Sequence, residues 1–527
     1  MRKLTHPAML ALGAAVLCLS CHIAPFISPL HPIVFHVAGS PYSVFLPVLI
    51  NLCALWLVLA LLLCWVRNPG QLHTLVWTGM MVLLPLVLIV NWFAQTAERV
   101  PHWLHVVIGL SPLLVLLLFL VARRPSCTLW FQEVQSFTAV VLGFVSLSAL
   151  LVLAQFLWRF SEARGGDRRA PPHVQTRPIT PHRSRVIWII FDELSYQQVY
   201  ERRFPGLQLP GFDLLAHQSV LFTHAVPTAS YTDIAIPSLM TGTPADGVRF
   251  SGDGQTLALH DPFDGGWRTL DPHNTVFQDA LGAGFKTAVD GWWNPYCRIL
   301  PHVLDDCFWS SYAPVREGIF SSQPVWWNTM QIPIYYFEFA YSWLYASDRG
   351  SSSERNTARF HQLDYNEIAA DADRLLNDPT MDFVFLHIPV PHGPSIYDRR
   401  SSSFTDKPLS YVDNLALADK CLTHLRLMLE KRHEWDSSTL VLMGDHSWRT
   451  QGTKQRTPDW RDENVIASHN GDFDDRPAYI VKFPYQQSPA RIDAVFPALR
   501  TRALLDGIID GRLKTAEDLA AWAAQQP

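Results

Sequence analysis

Charge is what the first third of this 527-residue chain lacks. Residues 1–158 carry eight Asp, Glu, Lys or Arg side chains in all: Arg2, Lys3, Arg67, Glu98, Arg99, Arg123, Arg124 and Glu133. Charge-free stretches run 4–66, 68–97, 100–122 and 134–158. Buried helices of soluble proteins rarely stay apolar for so long, whereas a membrane span needs about 20 apolar residues. The pattern predicts an α-helical membrane domain with five transmembrane helices, at 7–24, 43–65, 74–95, 103–122 and 137–158. None has a charged residue near its centre, which argues against a transporter, because ionisable groups there mark a pathway.

A basic surplus is also missing. The first 158 residues are net +4 within a chain of net −5, so the remainder is −9. An acidic soluble part argues against nucleic acid as a partner. Cysteine is scarce: eight in all, of which Cys297, Cys307 and Cys421 lie outside the apolar third and its loops. None of those three stands in CxxC spacing, so a cysteine zinc site is not expected there. Cys297 and Cys307 can either close a short disulfide or remain two thiols. Internal repeats and low-complexity tracts are absent.

Arg2 and Lys3, then Arg67, then Arg123 and Arg124 fall on one side of the five spans, and Arg99 on the other. The positive-inside rule places the N-terminus in the cytoplasm and everything after residue 158 outside, periplasmic or extracellular. Met-Arg-Lys before an apolar run also fits the start of a signal peptide, but no clear small-x-small site follows, so a retained anchor is expected. The division is a transmembrane domain at 1–160, an Arg-, Pro- and Gly-rich linker at 161–184, a globular domain at 185–490 and a helical tail at 491–527.

Within 185–490, strand-like runs recur at 186–191, 219–222, 285–289, 383–387, 439–443 and 478–482, with helical patterns between them. The clearest helix is 412–431, with Val412, Leu415, Ala418, Leu422, Leu425 and Leu429 on one stripe. The alternation predicts an α/β domain with a mainly parallel central sheet. Two of the runs stop on acid. Val186-Ile-Trp-Ile-Ile-Phe191 is followed by Asp192 and Glu193, and Thr439-Leu-Val-Leu-Met-Gly444 by Asp445 and His446. Ligands of open α/β sheets bind at the carboxyl ends of strands, and carboxylate oxygens with an imidazole are metal ligands. Ser230-Tyr-Thr-Asp-Ile-Ala-Ile-Pro-Ser-Leu-Met-Thr-Gly242 puts the Thr232 hydroxyl at a helix start, where it acts either as a cap or as a nucleophile beside the helix N-terminus. Phe383-Val-Phe-Leu-His-Ile-Pro-Val-Pro-His-Gly-Pro394 closes a strand with His387 and holds His392 in a Pro-bounded turn. His469 follows in Ala-Ser-His-Asn-Gly.

In this order the segments resemble the sulfatase-type branch of the alkaline phosphatase superfamily. The phosphoethanolamine and phosphoglycerol transferases of bacterial envelopes, including lipoteichoic acid synthases, belong to that branch. The resemblance covers most of 185–485, and Leu281-Gly-Ala-Gly-Phe-Lys-Thr-Ala-Val-Asp-Gly-Trp292 and Tyr411-Val-Asp-Asn-Leu-Ala-Leu-Ala-Asp419 extend it. It implies an alkaline-phosphatase-like fold and Thr232 as nucleophile. The implied divalent metal, Zn²⁺ or Mn²⁺, is held by Asp192, Thr232, Asp445 and His446, with Glu193 as a further candidate. His392 is implied as leaving-group acid or phosphate contact, and His469, Arg449 and Arg476 as substrate contacts. Thr232 is followed by Asp-Ile-Ala-Ile rather than the x-Pro-x-Arg of formylglycine sulfatases, which favours phosphoryl over sulfate chemistry. Arg476-Pro477 stands where the transferases often carry a second His, so one metal site is expected and a second is left open. The implied activity is transfer of a phospholipid head group, phosphoethanolamine or phosphoglycerol, to an envelope glycan or lipid acceptor. The alternatives are a phosphatase- or sulfatase-like hydrolase and a catalytically degenerate envelope assembly protein.

Overall fold

The structure is a computed structural model that describes residues 6–27, 33–96, 102–164, 168–169, 184–312, 319, 323–341, 352–407, 409–451 and 460–525. Most of the linker expected at 161–184 lies outside the described residues. The chain divides into two compact units.

The first unit takes Met1–Gly165, Gly252–Gly254 and Pro314–Ser353. Among the described residues three of its helices are long and apolar enough to cross a membrane: Tyr42–Trp65, Gln71–Ile89 and Pro125–Glu162. The expected five spans are not reproduced. Helices Pro7–Cys18 and Ser20–Ile27 meet at a 74° bend and make a fourth span only if counted as one. At the bend the Ser20 hydroxyl donates to the Leu17 carbonyl (2.9 Å), in competition with the backbone ladder. The segment expected at 103–122 is likewise split, into His102–Gly109 and Ser111–Ala122, with Pro112 opening the second piece.

The second unit takes Gly166–Ser251, Gln255–Ala313 and Glu354–Pro527. Its core is an eight-stranded sheet. The strands are β1 (Val186–Phe191), β2 (Val220–Val226), β3 (Thr287–Trp292), β4 (Asp306–Ser310), β5 (Phe383–Ile388), β6 (Thr439–Gly444), β7 (Tyr479–Lys482) and β8 (Ala490–Pro497). Their spatial order is β8-β2-β7-β6-β1-β5-β3-β4. All neighbours pair in parallel except β7, which is antiparallel to both β6 and β2. β1 and β6 are buried at every position, which is why they read as unbroken apolar runs rather than alternations. Helices Ser352–Asn377 and Tyr411–Lys431 cover one face, sharing a core with Ile187, Ile189, Phe191, Leu440 and Leu442. A disulfide joins Cys297 to Cys307 of β4.

Two expected boundaries are corrected. The tail expected at 491–527 is not helical throughout: β8 occupies its start and pairs with β2, burying Ile492 and Phe496, before helices Thr501–Ile509 and Ala516–Ala524. The globular segment 185–490 is interrupted as well, because Pro314–Ser353 clusters with the helical unit. Ile319 and Ile332 are buried there among side chains such as Val44, Phe45 and Phe156.

Candidate active site

The register between strands builds the site. Phe191 lies opposite Gly444 on one side and Ile388 on the other. The chain therefore leaves β1 and β6 at one level, and Asp192 and Asp445 emerge as neighbours, both fully buried. The exit of β5 is tied to the same place: Asp192 N–H donates to the Ile388 carbonyl and His392 N–H to the Asp192 carbonyl, each at 3.0 Å. Gly444 has no room for a side chain, since a Cβ would stand 2.6 Å from the Leu194 carbonyl oxygen.

Glu193 follows with φ 63°, a left-handed conformation uncommon outside glycine. Tyr411 holds it by donating its hydroxyl to the Glu193 carbonyl at 2.7 Å. In return the Glu193 N–H donates to Asp445 Oδ1 at 3.1 Å. Strain held in this way beside a reactive group is typical of preorganised sites. The Glu193 carboxylate accepts from Arg449 Nε at 2.8 Å. The candidate ligand group is Asp192, Asp445 and His446, whose ligand atoms all lie within 4.8 Å of one another. Glu193 is not part of it, and its expected role as a ligand is corrected: the left-handed turn sends its side chain to Arg449.

Thr232 opens helix Thr232–Thr241, which Gly242 ends in the left-handed conformation. Its Oγ1 lies 2.9 Å from Asp445 Oδ2 and 3.1 Å from Asp192 Oδ2. The hydroxyl is half-buried, so a reactant can reach it while the carboxylates behind it stay dry. The positive end of the helix faces the same region and favours an anion there.

The donor set fits a divalent cation. Asp192 Oδ1 and His446 Nε2 are buried without a hydrogen-bond partner. His446 Nδ1 lies 3.0 Å from the Ser447 carbonyl, which takes the ring proton and leaves the Nε2 lone pair for a metal. Burial, then the Asp445 carboxylate beside it, pushes the Asp192 carboxyl up from its usual range. Two facing carboxylates in a dry site require a positive partner. Two carboxylates, an imidazole and a hydroxyl make such a partner a hard or borderline divalent ion.

His387, which the sequence offered as the end of a strand and to which no role was assigned, belongs to the same cluster. It is fully buried, and its Nε2 lies 3.3 Å from Asp192 Oδ2. Its Nδ1 faces the Tyr296 hydroxyl at 2.7 Å and the Trp292 carbonyl at 3.0 Å. The signal for it is the register, which sets His387 against Ile190, two residues before Asp192.

His392 is half-buried, and its Nε2 lies 3.3 Å from an Arg449 guanidinium nitrogen. Arginine only donates, so Nε2 is the acceptor and the ring proton sits on Nδ1, 2.5 Å from the Gly393 carbonyl. Both roles expected of His392 need a ring N–H turned to the substrate, whereas in this tautomer Nε2 accepts from Arg449 and positions it. Arg449 is thus clamped between Glu193 and His392, and it also lies over the exposed Tyr231 ring, 5.4 Å from its centroid. The other expected contacts stand apart. Arg476 is engaged by Asp474 and Glu201 and donates to the Thr223 carbonyl at 3.1 Å, so its charge is already matched. His469 is exposed at the end of helix Asp462–Ala467 with φ 49°, and no hydrogen bond among the described residues joins its ring to the cluster.

Residues 184–470 match the sulfatase family. The chain belongs to that family. The family is one of enzymes, and the Asp192, Asp445 and His446 group is consistent with a metal-dependent one. Solved structures similar to this sulfatase-family chain include one from Bacteroides thetaiotaomicron described under the metabolism of multiple glycosaminoglycans. It is 13% identical, covers 64% of this chain and 80% of its own, and has a TM-score of 0.41. The phosphonate monoester hydrolase of Agrobacterium radiobacter is 12% identical, covering 62% and 74%, with a TM-score of 0.38. A lipoteichoic acid synthase from Listeria monocytogenes is 14% identical, covering 63% and 73%, with a TM-score of 0.35. No curated protein matches the chain.

Proposed function

We propose that this sulfatase-family protein is a membrane-bound phosphotransferase. It moves a phospholipid head group, phosphoethanolamine or phosphoglycerol, to a glycan or lipid acceptor of the cell envelope. The observation that carries the reading is the Thr232 hydroxyl, half-buried at a helix start and within 3.1 Å of both Asp192 and Asp445. An unmodified threonine there suits attack on phosphorus. The three membrane-length helices support a donor that is itself a membrane lipid.

Asp192, Thr232, Asp445 and His446 would hold the ion, and the donor set suits Zn²⁺ or Mn²⁺. When bound, such an ion lowers the pKa of a neighbouring hydroxyl and offsets charge on phosphate oxygens. Thr232 Oγ forms a bond to phosphorus and the bond to the diacylglycerol oxygen breaks, leaving the head group on Thr232. Asp445 and Asp192 are placed to take the hydroxyl proton, which passes on to the departing diacylglycerol oxygen, and in the second half to return the acceptor's proton to Thr232 Oγ. Arg449, steadied by Glu193 and His392, holds a phosphate oxygen. An acceptor hydroxyl then attacks the phospho-threonine and frees Thr232.

The protein is read as multi-pass, with a cytoplasmic N-terminus and the catalytic unit outside. The disulfide of that unit supports an oxidising compartment. The test is mass spectrometry of the purified full chain with mixed phospholipids and Zn²⁺ or Mn²⁺, alongside Thr232→Ala. A head-group adduct on the Thr232 peptide, lost in the variant and after chelation, is expected. A metal-loaded protein that cleaves phosphate esters and never retains an adduct would replace transfer with hydrolysis. A protein that takes up no metal would leave an assembly role.

A further inference from the structure

Helix Val325–Tyr341 is encoded between strands of the catalytic unit, yet it belongs to the helical unit. Its surroundings in sequence are unusual for a soluble insertion. Residues 318–347 contain a single charged side chain, Glu338, and ten aromatic ones. Such a composition is that of a membrane–water interface, where Trp and Tyr collect.

The helix has two faces. One is fixed to the helical unit. Asn328 and Ile332 are buried, and Asn328 Nδ2 donates to the Ser43 carbonyl at 2.7 Å. Pro333 lies within the helix and deprives the Thr329 carbonyl of its usual donor. Asn51, on the membrane-length helix Tyr42–Trp65, supplies the missing hydrogen bond with its Nδ2 at 2.9 Å. Where water is absent, backbone groups freed by proline are satisfied by neighbouring helices in this way.

The other face is exposed. Trp326, Met330, Ile334 and Phe337 are 69%, 55%, 39% and 65% exposed. At 3.6 residues per turn they fall within an arc of about 80°, opposite Asn328 and Ile332. The helix that Val325–Tyr341 packs on presents an exposed apolar face too, with Leu57, Val58, Leu61 and Trp65 all more than half exposed. Water is the wrong solvent for both surfaces.

We propose that helix Val325–Tyr341 is an interfacial membrane element, and that phospholipid covers its Trp326–Met330–Ile334–Phe337 stripe at the boundary of acyl chains and head groups. This rests on the reading of Tyr42–Trp65 as a membrane span, and the experiment separates the two. The photo-crosslinking residue benzoylphenylalanine is placed singly at Met330, Phe337, Leu61 and Tyr485 of the full chain. Tyr485 is an exposed residue of the catalytic unit. Each variant is reconstituted in vesicles of phosphatidylethanolamine and phosphatidylglycerol, irradiated, stripped of free lipid and weighed intact. Phospholipid adducts at Met330 and Phe337 in yields like that at Leu61, and about tenfold above Tyr485, are expected. Adducts at Leu61 without adducts at Met330 and Phe337 would overturn the inference and leave the span intact. Adducts of twice the chain mass at Met330 and Phe337 would assign the stripe to a second copy and overturn it as well. No lipid adduct even at Leu61 would remove the membrane reading and the inference together.

Discussion

The tips of β1 and β6 look alike in sequence, an apolar run ending in two polar ligand-type residues, but they end differently. After β6 both residues stay: Asp445 and His446 join the ligand group. After β1 one residue stays and the other leaves. Asp192 joins the group, while the left-handed backbone at Glu193 sends its carboxylate to Arg449 and its N–H to Asp445. One tip contributes an extra ligand. The other contributes the frame for an arginine. Neighbouring acids on a strand end are thus not interchangeable, and the backbone turn at Glu193 separates the one that joins the ligand group from the one that faces Arg449.

Three experiments break or sharpen that contrast. The largest effect is expected at the shared centre: Thr232→Ala or Asp445→Ala lowers turnover by about 10⁴-fold or more, with metal content by elemental analysis falling for Asp445→Ala and holding closer to normal for Thr232→Ala. Glu193→Gln should cost less, about 10- to 100-fold in activity with bound metal unchanged, as for partners that only orient a reactive group. If Glu193→Gln empties the metal site instead, the two tips are equivalent after all. Arg449→Lys should resemble Glu193→Gln, because lysine cannot hold Glu193, His392 and a phosphate oxygen with one planar group.

The smallest effect concerns a buried acid that has no arginine. Asp364 accepts from Trp292 Nε1 at 3.0 Å, Ser310 Oγ at 2.8 Å and the Tyr312 N–H at 2.9 Å. Burial pushes its carboxyl up to about 7. A raised acid binds its proton more tightly in the folded protein, so its neutral form carries no penalty below the unfolded pKa, near 4. Stability is then lost as pH rises from about 4 to about 7, by at most about 4 kcal/mol. Asp364→Asn should flatten that fall in the melting point of the catalytic unit. An unchanged pH profile would show that Asp364 is ionised in place. Trp292 also packs 5.2 Å from the His392 ring, so activity measured in parallel reports whether this support reaches the site.

Much of this site is legible from local pattern. Asp192 and Asp445 each end a run of apolar residues, and parallel strands in register necessarily bring such ends together. Thr232 on its own reads as a helix cap or a nucleophile alike, and it stands out only through the family resemblance. What local pattern does not carry is partnership across the chain. Arg476 reads as an anion contact until Glu201, from a distant turn, and Asp474 are seen to occupy it. His387 reads as a strand end until the register sets it beside Asp192. β8 reads as part of a tail because its alternation is interrupted by the register shift between Ile492 and Val495. The membrane helices are legible as apolar mass, but the breaks at Leu19 and Leu110 reflect hydrogen bonds and prolines that hydropathy does not weigh.

The return of the chain into the helical unit at Pro314–Ser353 has a consequence for proteolysis. In a protein whose globular part hangs from its anchor by one linker, a single cut sheds that part as a soluble fragment. Here a protease that nicks the 161–184 segment leaves the globule still fastened through helix Val325–Tyr341, whose inward face is pinned by Asn51 and Ser43. The result is a two-fragment enzyme that stays with its anchor. Release requires two further cuts, one on each side of that helix, because strands encoded before and after it interleave in one sheet; limited proteolysis should therefore yield nicked membrane-retained protein well before any soluble activity.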